Sequence, residues 1–424
     1  MDTIFALSSG SPPAAIGVIR VSGPAARQVG IRLAGSLPAP REAALRSLRG
    51  DDGQLLDKAL VLFFDGPRTA TGEDLLELHC HGGRAVIAAV QQALSRFEGV
   101  RAAVPGEFTR RAFANGRIDL AEAEGLSELL SAETELQRRS AIALTSGALS
   151  RQVEQWRSAI LNLSASVESV LDFGDEDDVA ELPPDFTDRV AALAAEMTRW
   201  LDRPRAEKLR EGFRIVLAGP PNSGKSTLFN ALLEEAVAIT SAEAGTTRDV
   251  IERPVSLDGM PLVLIDTAGL RDEGAGEIEV IGIGKAQEQI ERADCVLWLG
   301  PEGEGPDGAI ELESRIDDAS TVRKTNPAFR VSAVTGEGVD ALRSGLLNIA
   351  RDTLPKPGDV ALNVRQAGLI REASEALEQI ERVCDPLLVA EHLRLARAAM
   401  DSLTGRASTE DMLDNLFGRF CIGK

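Results

Sequence analysis

Apolar residues stepping by four and three mark the middle of the chain. In LSRQVEQWRSAILNLSASVESVL, the residues Leu149, Val153, Trp156, Ile160, Leu163, Val167 and Val170 fall on one stripe, which predicts a long amphipathic helix. An acidic turn and Pro183-Pro184 interrupt it before helix resumes to about Arg210. The N-terminal texture is different. AIGVIRVSG, KALVLFF and LLELHCHGG are short β-like runs between Gly and Pro turns, predicting a compact α/β domain over residues 1–118. At Phe213 the pattern becomes strand, glycine loop, helix, and it stays α/β across residues 211–354. Beyond LPKPGD it is helical again, with Leu369, Ala373, Leu377 and Ile380 on one face. Such a helical remainder is marginal as a separate domain, so it is expected to pack on residues 119–210. Residues 119–210 and 355–424 then form one discontinuous helical domain, with the α/β unit inserted into it.

The strand at Phe213 leads into Gly219-Pro-Pro-Asn-Ser-Gly-Lys-Ser226, the spacing G-x-x-x-x-G-K-S, and on into a helix. That context predicts a phosphate-binding loop. Backbone N–H groups around Asn222, Ser223, Gly224 and Thr227 surround the phosphates, Lys225 reaches the β/γ oxygens, and the Ser226 hydroxyl ligates Mg²⁺. AGTTRD offers Thr246 and Thr247 in a switch-like loop, with Thr247 as the second Mg²⁺ ligand. The apolar run 261–265 ends in Asp266, Thr267, Ala268 and Gly269, with Asp266 behind the metal and the Gly269 N–H facing a γ-phosphate. Together these predict a nucleotide hydrolase. The next residue is Leu270, a side chain that cannot aim a water molecule.

Ser332-Ala333 in FRVSAVTGEG is one half of a guanine-reading pattern. Where Asn-Lys-x-Asp is expected stands Ser314-Arg315-Ile316-Asp317. The aspartate remains, with two oxygens to accept from guanine N1–H and the exocyclic amine. Arg315 is able to stack on the base, and Ser314 loses the asparagine amide. Asp318 is also acidic, so the register is open by one residue. The preceding GPEGEGPDGA is too glycine-rich for the helix expected between these strands. A guanine nucleotide in a weakened base pocket is the expectation; a plain ATPase would leave Ser332-Ala333 without a purpose.

Length and charge narrow the class. A chain of 424 residues suggests about two or three domains. With 46 basic and 66 acidic residues the net charge is −20, which argues against coating nucleic acid unaided but leaves room for a basic groove or a partner that supplies one. Cys80, Cys295, Cys384 and Cys421 contain no C-x-x-C, so neither a zinc knuckle nor a disulfide framework is indicated. No run approaches the roughly 18 apolar residues of a membrane span, and the start lacks a basic leader, so a soluble cytoplasmic protein is expected. His79 and His81 share a strand face without a third ligand nearby, so a structural role is preferred to a metal site. Asp175, Glu176, Asp177 and Asp178 read as a solvated loop in preference to a cation site. The closing NLFGRFCIGK carries Phe417, Phe420, Cys421 and Ile422, so this tail is expected to dock. Cys421 is open to two readings, a chemical role or a packed thiol.

PNSGKST, AGTTRD, DTAGLR followed by EIEVIGI, GEDLLELHCHGG, PGEFTRRAFANGRIDLAEAEG and the terminal FCIGK together resemble the tRNA modification GTPase family MnmE, also called TrmE. The resemblance spans the whole chain and departs at Ser314–Asp317 and the short loop before it. It implies a folate-binding N-terminal dimerisation domain, a helical domain and an inserted Ras-like P-loop GTPase domain. It implies a homodimer whose GTPase is switched on when two G domains meet with K⁺ between nucleotide and loop. An FAD-containing MnmG partner, joining in a heterotetramer, is implied as well. Together they would attach an aminomethyl or carboxymethylaminomethyl group to C5 of the wobble uridine of certain tRNAs, using 5-formyltetrahydrofolate or a related folate. By the same likeness Glu279, chosen over Glu277 by the fit to IEVIGI, aims the water. Asn222, Ser241, Glu243 and Thr246 surround the K⁺, with Ser241 and Thr246 also beside the nucleotide. Arg20, Glu77, Arg117 and Lys424 contact folate. A GTP-dependent switch in ribosome or RNA assembly shares the G motifs and lacks the folate region and the terminal FCIGK.

Overall fold

The computed structural model describes residues 2–173, 181–234, 236–238, 251–267, 287–319, 321, 323–407, 410–418 and 420–423. It divides by compactness into two units, one of Met1–Ser127 with Asp401–Lys424, the other of Glu128–Met400.

The first unit is built on a six-stranded sheet in the order β3-β4-β5-β2-β1-β6. The strands are β1 (Thr3–Leu7), β2 (Ile16–Ser22), β3 (Ala43–Arg49), β4 (Leu55–Phe64), β5 (Leu75–His81) and β6 (Val100–Ala102). The pairings are antiparallel except β1 with β6. Strand alternation decides which side chains enter the core. Leu76, Leu78 and Cys80 of β5 point into a cluster with Val61 and Phe63 of β4, Val29 and Leu33 of the helix Ala26–Ala34, and Val90 and Leu94 of the helix Arg84–Leu94. The opposite face carries Glu77 and His79, and Leu45 and Leu60 stand on it as exposed cross-strand partners.

The chain's end docks in this unit. Phe417 and Phe420 are buried with Leu120 and Ala123, the Phe417 ring centroid lying 6.0 Å from that of Phe113. Arg110 pairs with Glu410 and Asp414 on the terminal helix Glu410–Phe417. Docking of the aromatic tail is thus as expected, while Ile422 and Cys421 stay exposed.

The second unit holds a seven-stranded sheet, β13-β12-β11-β7-β10-β9-β8. Its strands are β7 (Phe213–Ala218), β8 (Val237–Ala238), β9 (Ile251–Leu257), β10 (Met260–Asp266), β11 (Cys295–Trp298), β12 (Ile310–Glu313) and β13 (Phe329–Arg330). β7, β10, β11, β12 and β13 are parallel, so their C-terminal ends share one edge, where open α/β sheets bind ligands. No helix occupies the glycine-rich stretch between β11 and β12, in line with its composition.

The helix predicted around Trp156 runs Ala148–Phe173, and Leu149, Val153, Trp156, Ile160, Leu163 and Val167 are all buried. Trp156 meets Trp200 of the helix Phe186–Leu201 edge to face at 5.5 Å. The helix Val364–Ile380 packs on that same helix and starts at an Asn363–Gln366 capping box. One detail needs correction. Leu369 was expected in its buried stripe, but Ile370 is fully buried there and Leu369 lies at the margin.

Candidate functional site

Four of the parallel strands deliver the expected nucleotide residues to one sheet edge. β7 ends in the phosphate loop, where Gly219, Asn222 and Gly224 take φ of 152°, 60° and 93°. A Cβ on Gly219 would stand 3.1 Å from the Gly300 nitrogen, so the loop passes too close to its neighbour for a side chain. Lys225 opens the helix Lys225–Glu234 and is 5% exposed, its Nζ donating to the carbonyls of Gly219 (3.0 Å) and Pro220 (2.8 Å). Ser226 and Thr227 are exposed in the first turn, where helix N–H groups lack intrahelical partners. Ser223 Oγ is buried without a hydrogen-bond partner among the described residues. At the end of β10, Asp266 and Thr267 are buried, and Thr267 Oγ1 donates to the Leu217 carbonyl at 2.8 Å, holding the ends of β7 and β10 together. Donors on a helix start, a buried lysine and an orphaned hydroxyl fit a nucleotide's phosphates.

The base-side residues converge on the same edge. Ser314 follows β12, and its Oγ donates to the Ser223 carbonyl at 2.6 Å. Ile316 N–H bonds to the Val331 carbonyl at 3.3 Å, which brings the loop beside Ser332 and Ala333. Ser332 is fully buried, and its hydroxyl accepts from Thr335 N–H at 3.1 Å. Asp317 is exposed, whereas Asp318 accepts from Arg315 at 2.7 Å. Sequence reasoning missed Glu313. It is 3% exposed, sits directly before Ser314 and is held by Arg323 (2.9 Å) and Arg330 (3.0 Å). Only its place at a strand end hinted at this.

The expected Ser241, Glu243, Thr246, Thr247, Ala268, Gly269, Glu279 and Lys424 lie outside the described residues.

In the first unit Arg20 and Glu77 are cross-strand partners on the open face of the sheet. Arg20 Nε and Nη2 reach Glu77 Oε1 at 3.1 and 2.9 Å, and His79 Nε2 lies 3.3 Å from Oε2. Burial pushes the Glu77 carboxyl upward, but hydrogen bonds from Arg20 and His79 outweigh it and leave its pKa below the ordinary carboxylate value. Arg117 Nε donates to the Thr69 carbonyl at 3.2 Å. Cys80 faces the core between the two histidines, and burial pushes its thiol up to about 12. His81 pairs with Asp57 at 2.7 Å. Among the described residues no group of three His, Cys, Asp or Glu forms a metal cage, and no helix is long and apolar enough to cross a membrane. A neighbouring network was not read from the sequence: Arg111 bridges Asp2, Glu73 and Glu107 at 2.7–3.2 Å.

Comparison with known proteins agrees with both halves. The family described as GTP-binding protein TrmE N-terminus matches residues 3–117, and that described as MnmE helical domain matches residues 120–421. The tRNA modification GTPase MnmE of Novosphingobium aromaticivorans is 60% identical over 435 residues, covering 100% of each chain. That of Erythrobacter litoralis is 61% identical over 424 residues, again with 100% of each covered. Similar solved structures include the G domain of the T. maritima FeoB iron transporter, at 24% identity and TM-score 0.24, covering 32% of this chain and 98% of that one. An Aquifex aeolicus Era variant bound to GDP and AlF4⁻ matches at 22% identity and TM-score 0.24, covering 42% and 69%. With likeness running the full length of its relatives, the chain belongs to the MnmE family of tRNA modification GTPases.

Proposed function

We propose that the chain is a homodimeric, K⁺-activated GTPase that modifies C5 of the wobble uridine of certain tRNAs. An FAD-containing MnmG partner and a one-carbon unit from 5-formyltetrahydrofolate or a related folate complete this reading. The observation that carries it is one polypeptide holding both a phosphate-and-base edge and the Arg20–Glu77 pair on a separate sheet. The division into residues 1–118, 119–210 with 355–424, and 211–354 belongs to the same proposal.

The chemistry follows from the side chains. Lys225 sits beside the phosphate loop, where its charge offsets the negative charge that builds on the β/γ oxygens as the terminal phosphoryl leaves. Ser226 and Thr247 would hold Mg²⁺, which would supply positive charge to offset that of the phosphates. Asn222, Ser241, Glu243 and Thr246 would hold K⁺, which supplies the positive charge that an arginine finger gives elsewhere, worth about 10³–10⁵ in rate. Leu270 leaves the position after Gly269 without a polar group, so Glu279 aims and helps deprotonate the attacking water, a contribution of about 10²–10⁴. In the first unit the Glu77 carboxylate suits the donor edge of a pterin, and the cations Arg20, Arg117 and Lys424 suit a glutamate tail. The open sheet face with Leu45 and Leu60 supports pairing of two copies there.

Mass spectrometry of wobble uridine from cells lacking the protein tests the function. Loss of the C5 group is expected, and unchanged modification overturns the proposal. For the ion, hydrolysis in Rb⁺ is expected to approach that in K⁺ and to exceed that in Na⁺; equal rates in all three overturn the K⁺ assignment.

A further inference from the structure

One face of the seven-stranded sheet is crossed by a guanidinium. Val216, Val263 and Ile265 pack there under Ile290 and Ala293, and Arg214, two residues before Val216 on β7, shares that face. Arg214 Nη2 donates to Glu252 Oε1 on β9 at 2.9 Å and to Gln289 Oε1 in the helical residues 287–291 at 2.7 Å. Because β10 lies between β7 and β9, the side chain spans the strand that delivers Asp266. The backbone of Arg214 is fixed as well. Its N–H donates to Asp294 Oδ2 at 2.9 Å, its carbonyl accepts from Asp294 N–H at 3.0 Å, and Asp294 pairs in turn with Lys208. Gln289 is 9% exposed and the Arg214 side chain 16%. Arg214 Nε is buried without a hydrogen-bond partner among the described residues, so the guanidinium is turned to serve the two acceptors of Nη2 at the cost of leaving another donor unmet.

The two acceptors stand on chain that leaves the two segments assigned to hydrolysis. Glu252 follows Thr247 by five residues, and Gln289 follows Glu279 by ten. We propose that Arg214 is a positioning residue for hydrolysis, holding the exits of the Thr247 loop and of the Glu279 segment in one fixed relation across β10. The proposal rests on the GTPase reading of the nucleotide edge. Arg214 lies near the start of β7, five residues before Gly219 and so about 16 Å from it along an extended strand. It therefore acts on the reaction through Glu252 and Gln289. A metal ligand and a water-aiming carboxylate on separate stretches of chain must meet at one geometry, and a misplacement of about 1 Å costs about 10² in rate.

The test is steady-state GTP hydrolysis by the full-length chain in K⁺ and Mg²⁺, beside calorimetric titration with GDP. Arg214→Met keeps the aliphatic stem and removes the donors. It is expected to lower kcat by about 10- to 100-fold while KM and GDP affinity stay within about 2-fold of wild type. Arg214→Lys keeps a charged donor and is expected to fall between the two. Gln289→Leu is expected to lower kcat by about 3- to 10-fold, and adding it to Arg214→Met is expected to slow the enzyme no further, because the tie is already broken. Wild-type kcat in Arg214→Met or in Gln289→Leu overturns the proposal. So does a loss of GDP affinity equal to the loss in kcat, which is the mark of general damage to the fold, or a double variant whose effects multiply. A wild-type chain that hydrolyses no GTP would instead sink the GTPase reading beneath it, so the two failures are distinct. Tryptophan fluorescence confirms the fold of each variant, since Trp156, Trp200 and Trp298 all lie in this unit. Should Arg214→Met fail to fold, Arg214→Lys and Gln289→Leu carry the same comparison.

Discussion

The docked chain end can be loosened by one added methyl group. Gly106 precedes the helix Glu107–Ala114 with φ 70°, and a Cβ placed on it would lie 2.2 Å from the Phe417 carbonyl oxygen and 2.8 Å from its carbon. Gly106→Ala therefore carries two costs. An L-residue in the left-handed region costs about 1–2 kcal/mol, partly offset by a stiffer unfolded chain. The collision is with backbone, so the terminal helix must shift, and Phe417, 2% exposed, must give up part of its burial. Full loss of a buried phenylalanine costs about 3–5 kcal/mol, which sets the ceiling for this second cost. Gly116→Ala separates the two, because Gly116 has φ 64° and nothing within 4 Å of its added Cβ. The expectation is a loss of about 1 kcal/mol for Gly116→Ala and of about 2–6 kcal/mol for Gly106→Ala. Hydrogen-exchange mass spectrometry of residues 410–418 in the full chain is the assay, because all three tryptophans lie in the other unit and fluorescence is blind to this change. Equal protection of that helix in the two alanine variants would refute the collision argument.

Two further outcomes follow. Asp2, Glu77 and Glu107 all have carboxyl pKa values below their ordinary 3.8–4.5; in each, burial opposes and arginine hydrogen bonds prevail. Their stabilisation is complete above those ordinary values and is lost as pH falls through the lower folded ones. Urea midpoints of the first unit, followed by hydrogen exchange, should hold from pH 7 to about 5 and drop toward pH 3; an unchanged midpoint at pH 3 would contradict the ion-pair account. Lys225→Ala should cut GTP hydrolysis by at least about 10² while leaving tryptophan fluorescence as in the wild type; normal phosphate release would remove Lys225 from the chemistry.

Periodic and contiguous features were legible from the residues. Leu149 to Val167 bury as their spacing requires, and Gly219 to Ser226 form the loop their motif requires, because both depend on neighbours in the chain. The Leu369 expectation shows where periodicity stops. Leu369 and Ile370 are both apolar and stand about 100° apart around the helix, and it is Ile370 that the packed structure buries. Similarly, aromatic residues near the terminus announced that the tail docks, but nothing along the chain named Phe113, Leu120 and the bare backbone at Gly106 as its seat.

What the sequence by itself supplied was local: the G-x-x-x-x-G-K-S spacing after β7, the Ser314–Asp317 and Ser332-Ala333 stretches expected to face a base, and the period of the long helix. What the tertiary structure decided was which groups meet. Ser314 was a lost amide until it was seen to reach Ser223, 91 residues away in sequence. Asp317 and Asp318 were equivalent until Arg315 claimed one of them. A hydrogen bond acts over about 3 Å of space whatever the separation along the chain, so contacts between distant segments are fixed only when the sheet brings the strand ends to a common edge.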